Sequence, residues 1–174
     1  MRKIFLTLTI ILFSTFSNAY DQYLGYWQFK NTSEILKIYK NNENTYLVNI
    51  DIAKSIVMPD VGKTEYTLIK ITKDTLGLKD GSTVIPLKLS NDGKALQLTD
   101  RTYLRVNENS AKTIVKNDVN CSKLRAKYQD EIGKMQINAL INQVDNDKEI
   151  NQLKIKYIRL QTDIQNCNIR IESN

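Results

Sequence analysis

The two cysteines are the residues of this chain whose chemistry is easiest to assign. Cys121 and Cys167 are the only cysteines among 174 residues. Neither belongs to a Cys-x-x-Cys motif, which would indicate a redox or zinc site. An even pair of cysteines in an exported protein is more often bonded than free. If the chain is exported, as its N-terminus indicates below, we predict a structural disulfide between them.

Other side chains that do chemistry are sparse. The chain contains no histidine, which removes the usual general base, the commonest metal ligand and the triads built on histidine. Asp130 and Glu131 are adjacent and do not share a helix face, and Asp145 and Asp147 fit helix capping better than calcium binding. There is also no G-x-S-x-G motif and no phosphate loop. We therefore expect a protein that is not an enzyme and holds no cofactor and no metal.

The N-terminus has the pattern of a secretory signal peptide, predicted here as 1–19. A positive start at Arg2 and Lys3 precedes an apolar run at 4–16 and a small-x-small cleavage site at 17–19. The apolar run is too short for a typical membrane span, although a membrane anchor is the alternative. We expect a chain that begins at Tyr20, is exported to the periplasm or secreted, and has no transmembrane segment after cleavage.

The charge of the chain is spread evenly. The 25 Lys and Arg against 19 Asp and Glu give +6, and loss of Arg2 and Lys3 with the signal peptide leaves +4. That excess divides equally between 20–106 and 107–174, with no basic stripe. Such a mixed surface is typical of a solvated protein, and we expect no nucleic-acid partner.

Two apolar stripes at helical spacing organise the last third of the chain, and each repeats every three or four residues. The first comprises Cys121, Leu124, Tyr128, Ile132, Met135 and Ala139, and the second comprises Ile150, Leu153, Tyr157, Leu160, Ile164, Cys167 and Ile171. Folding the chain at the polar break 142–147 places Cys121 opposite Cys167 and Tyr128 opposite Leu160. The stripes therefore predict an antiparallel two-helix hairpin over 120–174, closed by the disulfide.

One alternative to the hairpin is a single continuous helix in a parallel dimer. The two cysteines would then lie roughly 69 Å apart and could bond only to a partner chain. Extending the second stripe backwards through such a helix places Asn146, Gln143 and Gln136 in the seam. Because these polar residues suit a seam poorly, the pattern favours the hairpin.

The segment 20–106 has the pattern of an all-β domain. About eight short runs of strand-forming residues are separated by turn signals such as Asp80-Gly81 and 91–93. This predicts an antiparallel meander closed as a small barrel or packed as a sandwich, with an interior filled by side chains. The segment 107–119 is polar and is interpreted as a linker. The expected fold class is α+β.

Three residues of the β segment carry a family resemblance. Gly25 and Trp27 begin the first strand, and an arginine, Arg101 or Arg105, lies on or beside the last strand. This arrangement resembles the signature of lipocalin-like barrels, and the run 91–96 is similar to small bacterial lipocalin-like domains. The resemblance covers 20–106 only. It implies a structural role for Gly25, Trp27 and Arg105, in which the arginine packs across the indole, and it implies no activity.

The stretch 52–62 is the longest segment without strand pattern in the β region, and it is unusually apolar. Ile56, Val57 and Met58 form a candidate binding loop, either a lid or a surface that docks a partner. They could equally cover the barrel end or pack on the helices.

Three functions fit this sequence. The first is an exported, non-enzymatic interaction protein of the bacterial cell envelope, which contacts a protein or envelope partner through the barrel surface or the 52–62 loop. The alternatives are a carrier of a small apolar ligand in the barrel and a secreted inhibitor of a hydrolase. A second apolar row lies off the hairpin seam and requires a cover from the barrel or another molecule. It comprises Ile137, Ile141, Val144, Ile155 and Ile158.

Overall fold

The computed structural model describes residues 19–60 and 62–171. The predicted signal peptide therefore lies outside the described residues except for Ala19, as do Val61 and the last three residues of the predicted hairpin range. In the part that is described, no helix is both long enough and apolar enough to cross a membrane.

Eight antiparallel strands within the described residues pair in chain order, and the last strand pairs with the first to close a barrel. The strands are β1 (Gly25–Phe29), β2 (Ile35–Lys40), β3 (Tyr46–Asn49), β4 (Glu65–Lys70), β5 (Leu76–Asp80), β6 (Thr83–Leu89), β7 (Ala95–Leu98) and β8 (Arg101–Val106). The predicted meander is confirmed, and it is a closed barrel, not a sandwich. With the helices that follow, the α+β class is also confirmed.

The pairing register places one face of every strand inside the barrel. Trp27 pairs with Leu36 on β2 and with Arg105 on β8, and the alternation continues around the sheet. The inward side chains and the short 3-10 turn Asp21–Tyr23 form a continuous apolar core. Its buried members are Tyr23, Trp27, Leu36, Ile38, Tyr46, Val48, Leu68, Leu76, Leu78, Leu87, Leu96, Leu98 and Tyr103. The protein's own side chains therefore occupy the interior.

Helix α1 (Ile52–Val57) lies in the stretch 52–62, for which the sequence pattern predicts an irregular loop. Its start follows from Asp51, whose side chain accepts a hydrogen bond from the Lys54 backbone N–H at 2.9 Å, an N-cap contact. The apolar character of the stretch reflects a helix of about one and a half turns that packs against α2.

Helix α2 (Glu108–Asn142) corrects the prediction that 107–119 is a linker. Asn107 caps the helix by accepting a hydrogen bond from the Ser110 N–H at 2.8 Å. Ala111, Val115 and Val119 then repeat every four residues and are buried in a cluster outside the barrel. The linker interpretation was wrong because three small apolar residues among polar ones are a weak helix signal. They are nevertheless enough to pack the helix against the barrel and α1.

Beyond Val119, α2 leaves the barrel and forms an arm, defined here as residues 120–171. The 23 residues from 120 to 142 extend about 35 Å at helical rise. The chain turns at Gln143, whose φ is 51°, and returns as α3 (Asp147–Thr162). The disulfide Cys121–Cys167 closes the base of the arm, with the two Cα atoms 5.4 Å apart. The hairpin and the disulfide are both confirmed.

The register of the arm differs from the predicted one. Tyr128 packs on Tyr157, with ring centroids 5.2 Å apart, and not on Leu160, which is 40% exposed. The difference arises because α3 ends at Thr162, so Ile164, Cys167 and Ile171 reach the seam from non-helical chain. That irregular segment includes Asn166 and Arg170 at positive φ, and it buries Ile169, which a strict heptad stripe omits.

Candidate functional site: a basic groove beside the barrel

Gly25, Trp27 and Arg105 meet where the first and last strands pair. The Arg105 guanidinium carbon lies 4.1 Å from the centroid of the Trp27 ring. The same guanidinium donates hydrogen bonds to the carbonyls of Leu24 and Gly93, each at 2.9 Å, and to the carbonyl of Gln22. These contacts tie the 3-10 turn and the β6–β7 turn to the closing strand pair.

Gly25 has a backbone conformation that a residue with a side chain would strain. Its φ is +128°, in the region that favours glycine, and a Cβ built there would stand 3.2 Å from Nη1 of Arg105. Gly25, Trp27 and Arg105 thus contact one another and the adjoining turns at the β1–β8 pair that closes the barrel.

The two cysteines lie at the base of the arm and are bonded to each other. Cys121 is 6% exposed, and the described residues include no free cysteine. Nor do residues 19–60 and 62–171 bring together three His, Cys, Asp or Glu side chains that could hold a metal ion.

The three residues of the candidate binding loop have different environments. Val57 is half-buried in the cluster that joins α1 and α2 to the barrel. Ile56 and Met58 are 55% and 50% exposed. One member of the loop therefore packs on the helices, while the other two reach solvent.

Ile56 lines an open groove between α1, α2 and the outer surface of β1 to β3, which we call the basic groove. Its volume is about 510 Å³, within the range of small-molecule sites. The lining residues are Tyr26, Lys37, Tyr39, Asn49, Ile52, Ile56, Ala111, Lys112, Val115, Lys116, Val119 and Asn120. The aliphatic members come from both helices, and the polar members come from the strands and the flank of α2.

The charged side chains that line the basic groove are all positive: three lysines, with neither aspartate nor glutamate among the lining residues. The Lys37 ammonium lies between two tyrosine rings, 5.2 Å from the Tyr26 centroid and 5.3 Å from the Tyr39 centroid. Lys112 forms an ion pair with Glu108 at 2.7 Å. Lys116 has no ion pair with any described residue. An anion in the groove would therefore meet at least one uncompensated ammonium.

Tyr39 is one of two tyrosines in the groove wall, and its hydroxyl is already bonded within the protein. Tyr39 donates a hydrogen bond from its hydroxyl to the Glu65 carboxylate. Burial, together with that hydrogen bond and the carboxylate charge, raises the pKa of Tyr39 to about 12. The Tyr39 hydroxyl is therefore committed to Glu65 as a donor.

Sequence reasoning missed the three lysines. Lys112 and Lys116 are one helical turn apart and directly follow Ala111 and Val115 of the buried row, so the local sequence carries a partial signal. Lys37 and Ile56 belong to other elements, and the barrel topology alone brings them beside α2.

The tip of the arm carries a second exposed apolar surface, which we call the arm tip. Its members are Ile137, Leu140, Ile141 and Val144, with exposures of 59%, 80%, 73% and 53%. Ile155 and Ile158 on α3 are also exposed, at 51% and 44%. The second apolar row predicted from the sequence therefore lies uncovered by the part of the chain that the structure describes.

Comparison of the chain with family models, with curated proteins and with solved structures finds no match.

Proposed function

We propose that the protein is an exported, non-enzymatic interaction protein of the bacterial cell envelope, and that it holds its partner or ligand in the basic groove. The observation that carries this proposal is the composition of the groove. An aliphatic floor from two helices faces three lysines, with no lining acid, in a concavity of about 510 Å³. Such a surface binds an apolar group that carries negative charge.

Several features support export and the family resemblance. The disulfide Cys121–Cys167 is typical of chains that mature in an oxidising compartment, and it agrees with the signal peptide predicted at 1–19. The closed eight-stranded barrel and the stacking of Arg105 on Trp27 suit a lipocalin-like domain. The groove also uses Ile56 of the 52–62 loop, the segment that the sequence singled out for binding.

The position of the groove separates this proposal from a carrier that holds its ligand inside the barrel. Core side chains, each at most 8% exposed, fill the barrel and its N-terminal turn. An apolar ligand would therefore meet the outer face of β2 and β3, beside the helices. No specific observation favours an inhibitor of a hydrolase.

Photo-crosslinking tests the proposal without knowledge of the partner. A benzophenone amino acid replaces Ile56 in the exported protein, and a second variant carries it at Val84, which is 40% exposed on β6. We expect an adduct of defined mass from position 56 and none from position 84. Equal labelling at both positions, or none at position 56, would contradict the proposal.

A further inference from the structure

We infer that the basic groove binds a single-chain amphipathic anion, an aliphatic chain that ends in one carboxylate. This inference rests on the proposed function, because it names the ligand class of the same groove. Three features support it: the floor of the groove, its charge and the hydrogen-bonding groups that the walls leave available.

The floor of the groove suits an aliphatic chain. Ile52 and Ile56 face it from α1, while Ala111, Val115 and Val119 face it from α2. The α2 residues repeat every four positions, so they form a row parallel to the helix axis. Because these three residues are at most 9% exposed, an alkyl chain in the groove would lie beside the row and cover mainly the exposed Ile56 and the half-buried Ile52.

The charge of the groove suits one negative charge. Lys112 and Lys116 lie one helical turn apart, and the first is already paired with Glu108. Lys37 is held between Tyr26 and Tyr39, which fixes its ammonium in the wall. Among the described residues Lys37 and Lys116 have no ion pair, but the Glu108 carboxylate pairs with Lys112 and the Glu65 carboxylate is bonded to Tyr39 of the wall. The three lysines less these two acids leave a net charge of +1, which a single carboxylate balances better than a dianion.

The walls offer little to a peptide backbone. The barrel is closed, so β2 and β3 are each paired on both sides and present no free edge for an added strand. The Asn49 side-chain amide is bonded to the Ser55 hydroxyl at 3.2 Å, and the Tyr39 hydroxyl is bonded to Glu65. A chain that needs no hydrogen bonds along its length therefore fits this groove better than a peptide, which needs many.

The test uses dodecanoate as the probe, below its micellar concentration, on the mature protein with its disulfide intact. Calorimetry should give one dodecanoate per chain, and NMR shift changes should centre on Ile56 and Val115. Dodecyltrimethylammonium, which has the same chain length and the opposite charge, should bind at least tenfold more weakly.

Paired lysine variants test the role of charge. Lys112→Gln with Lys116→Gln should weaken dodecanoate binding about tenfold, equivalent to about 1.4 kcal/mol. The matched control is Lys123→Gln with Lys127→Gln, which removes two lysines at the same spacing on the same helix but outside the groove. The control should bind as the unmodified protein does, and both variants should keep its circular dichroism spectrum.

Three results would overturn the inference: no saturable dodecanoate binding, equal binding of the cationic amphiphile, or equal loss in both paired variants. If dodecanoate fails while the crosslinker at position 56 still gives its adduct, the ligand class is wrong and the proposed function stands. If neither experiment detects an occupant, both proposals fail.

Discussion

Two of the apolar rows on helix α2 have opposite surroundings. Near its start, Val115 and Val119 are 9% and 8% exposed, whereas Leu140 and Ile141 near its end are 80% and 73% exposed. Both rows have helical spacing, and the exposed row has the larger side chains. The difference is that the barrel and α1 lie against the first row, whereas the described residues leave the second row open to solvent. Periodicity thus predicts that a row exists, and only the topology decides whether it is covered.

The same contrast extends to the barrel and the arm as wholes. The barrel buries its apolar face by closing on itself, so its stability comes from packing. The arm buries only a small apolar cluster between its two helices, and so it depends more on the disulfide for its stability. This difference can be tested by four changes, taken from the largest expected effect to the smallest.

Removal of the disulfide should loosen the arm and spare the barrel. In the chain-entropy model a loop of 46 residues contributes roughly 4 kcal/mol, which Cys121→Ser with Cys167→Ser would remove. Hydrogen exchange measured by mass spectrometry should show faster exchange over 121–171, with β1 to β8 unchanged. Intact mass should first show a monomer two hydrogens lighter than the reduced chain. An equal loss of exchange protection in the barrel strands would contradict the claim that the barrel is stable without the disulfide.

A charge introduced into each apolar row of α2 should have opposite consequences. Val115→Asp puts a carboxylate at a packed apolar position that is 9% exposed. Lost packing and desolvation should outweigh its attraction to the groove lysines and lower the free energy of unfolding by roughly 3 kcal/mol. Ile141→Asp adds the same charge to an exposed position and should change it by less than about 0.5 kcal/mol. Urea denaturation followed by circular dichroism measures both. Similar losses from the two variants would show that the arm tip is covered in solution.

The two arginines of β8 should differ in their contribution to the barrel. Arg105→Ala removes the stacking on Trp27 and three hydrogen bonds to carbonyls, which should cost about 2 kcal/mol. Arg101→Ala removes a partly exposed pair with Glu34 at 3.1 Å and a looser ring contact with Phe29 at 5.2 Å. It should cost less than about 1 kcal/mol. Thermal denaturation of the two variants provides the test. If Arg101→Ala is as damaging, the closing contact has been assigned to the wrong arginine.

The smallest effect concerns Asp118, at the point where α2 leaves the barrel. Burial raises the pKa of Asp118 above its ordinary value, with the Ser33 hydrogen bond opposing the shift. Because this folded-state pKa exceeds the unfolded one, the folded state binds more protons in that window, and stability falls as pH rises through it. Asp118→Asn should therefore stabilise the protein at pH 7 by about 0.5 kcal/mol or less, since the carboxyl is partly solvated.

The control for this prediction is the pH dependence itself. The gain from Asp118→Asn should disappear in acid, where Asp118 is protonated in both the folded and the unfolded state. Denaturation midpoints measured at neutral and acidic pH would show this. A gain that persists in acid would point to the amide's hydrogen bonds and not to the charge.

The elements set by local signals could be predicted from the sequence. Turn residues such as Asp80-Gly81 delimit the strands, and the heptad spacing around Tyr157 identifies the hairpin and pairs its cysteines. The start of α2 at Glu108 could not be predicted, because the apolar row of its first turns is too sparse to indicate a helix. The row is buried only because Ile35 of the barrel packs against it. The register of the arm failed for a related reason, since the heptad pattern extends the helix beyond Thr162.

The basic groove was only partly predictable. The apolar run around Ile56 indicates a candidate binding loop, but it reveals neither the helical form of that segment nor its neighbours. Lys37 and Lys116 are 79 positions apart in the sequence and converge because α2 runs back along β1 and β2. Surfaces built from such distant segments depend on tertiary topology, which local periodicity does not encode.

The most direct test of the binding site places the benzophenone crosslinker at Ile56 in the basic groove and, separately, at Leu140 in the arm tip, in the protein expressed from its full sequence. Both positions are exposed and apolar, so a difference between them reports specific binding and not nonspecific crosslinking to apolar surface. We predict an adduct at position 56 that weakens when Lys112 and Lys116 are changed to glutamine. An adduct at position 140 with none at position 56 would contradict the claim that the groove is the binding site.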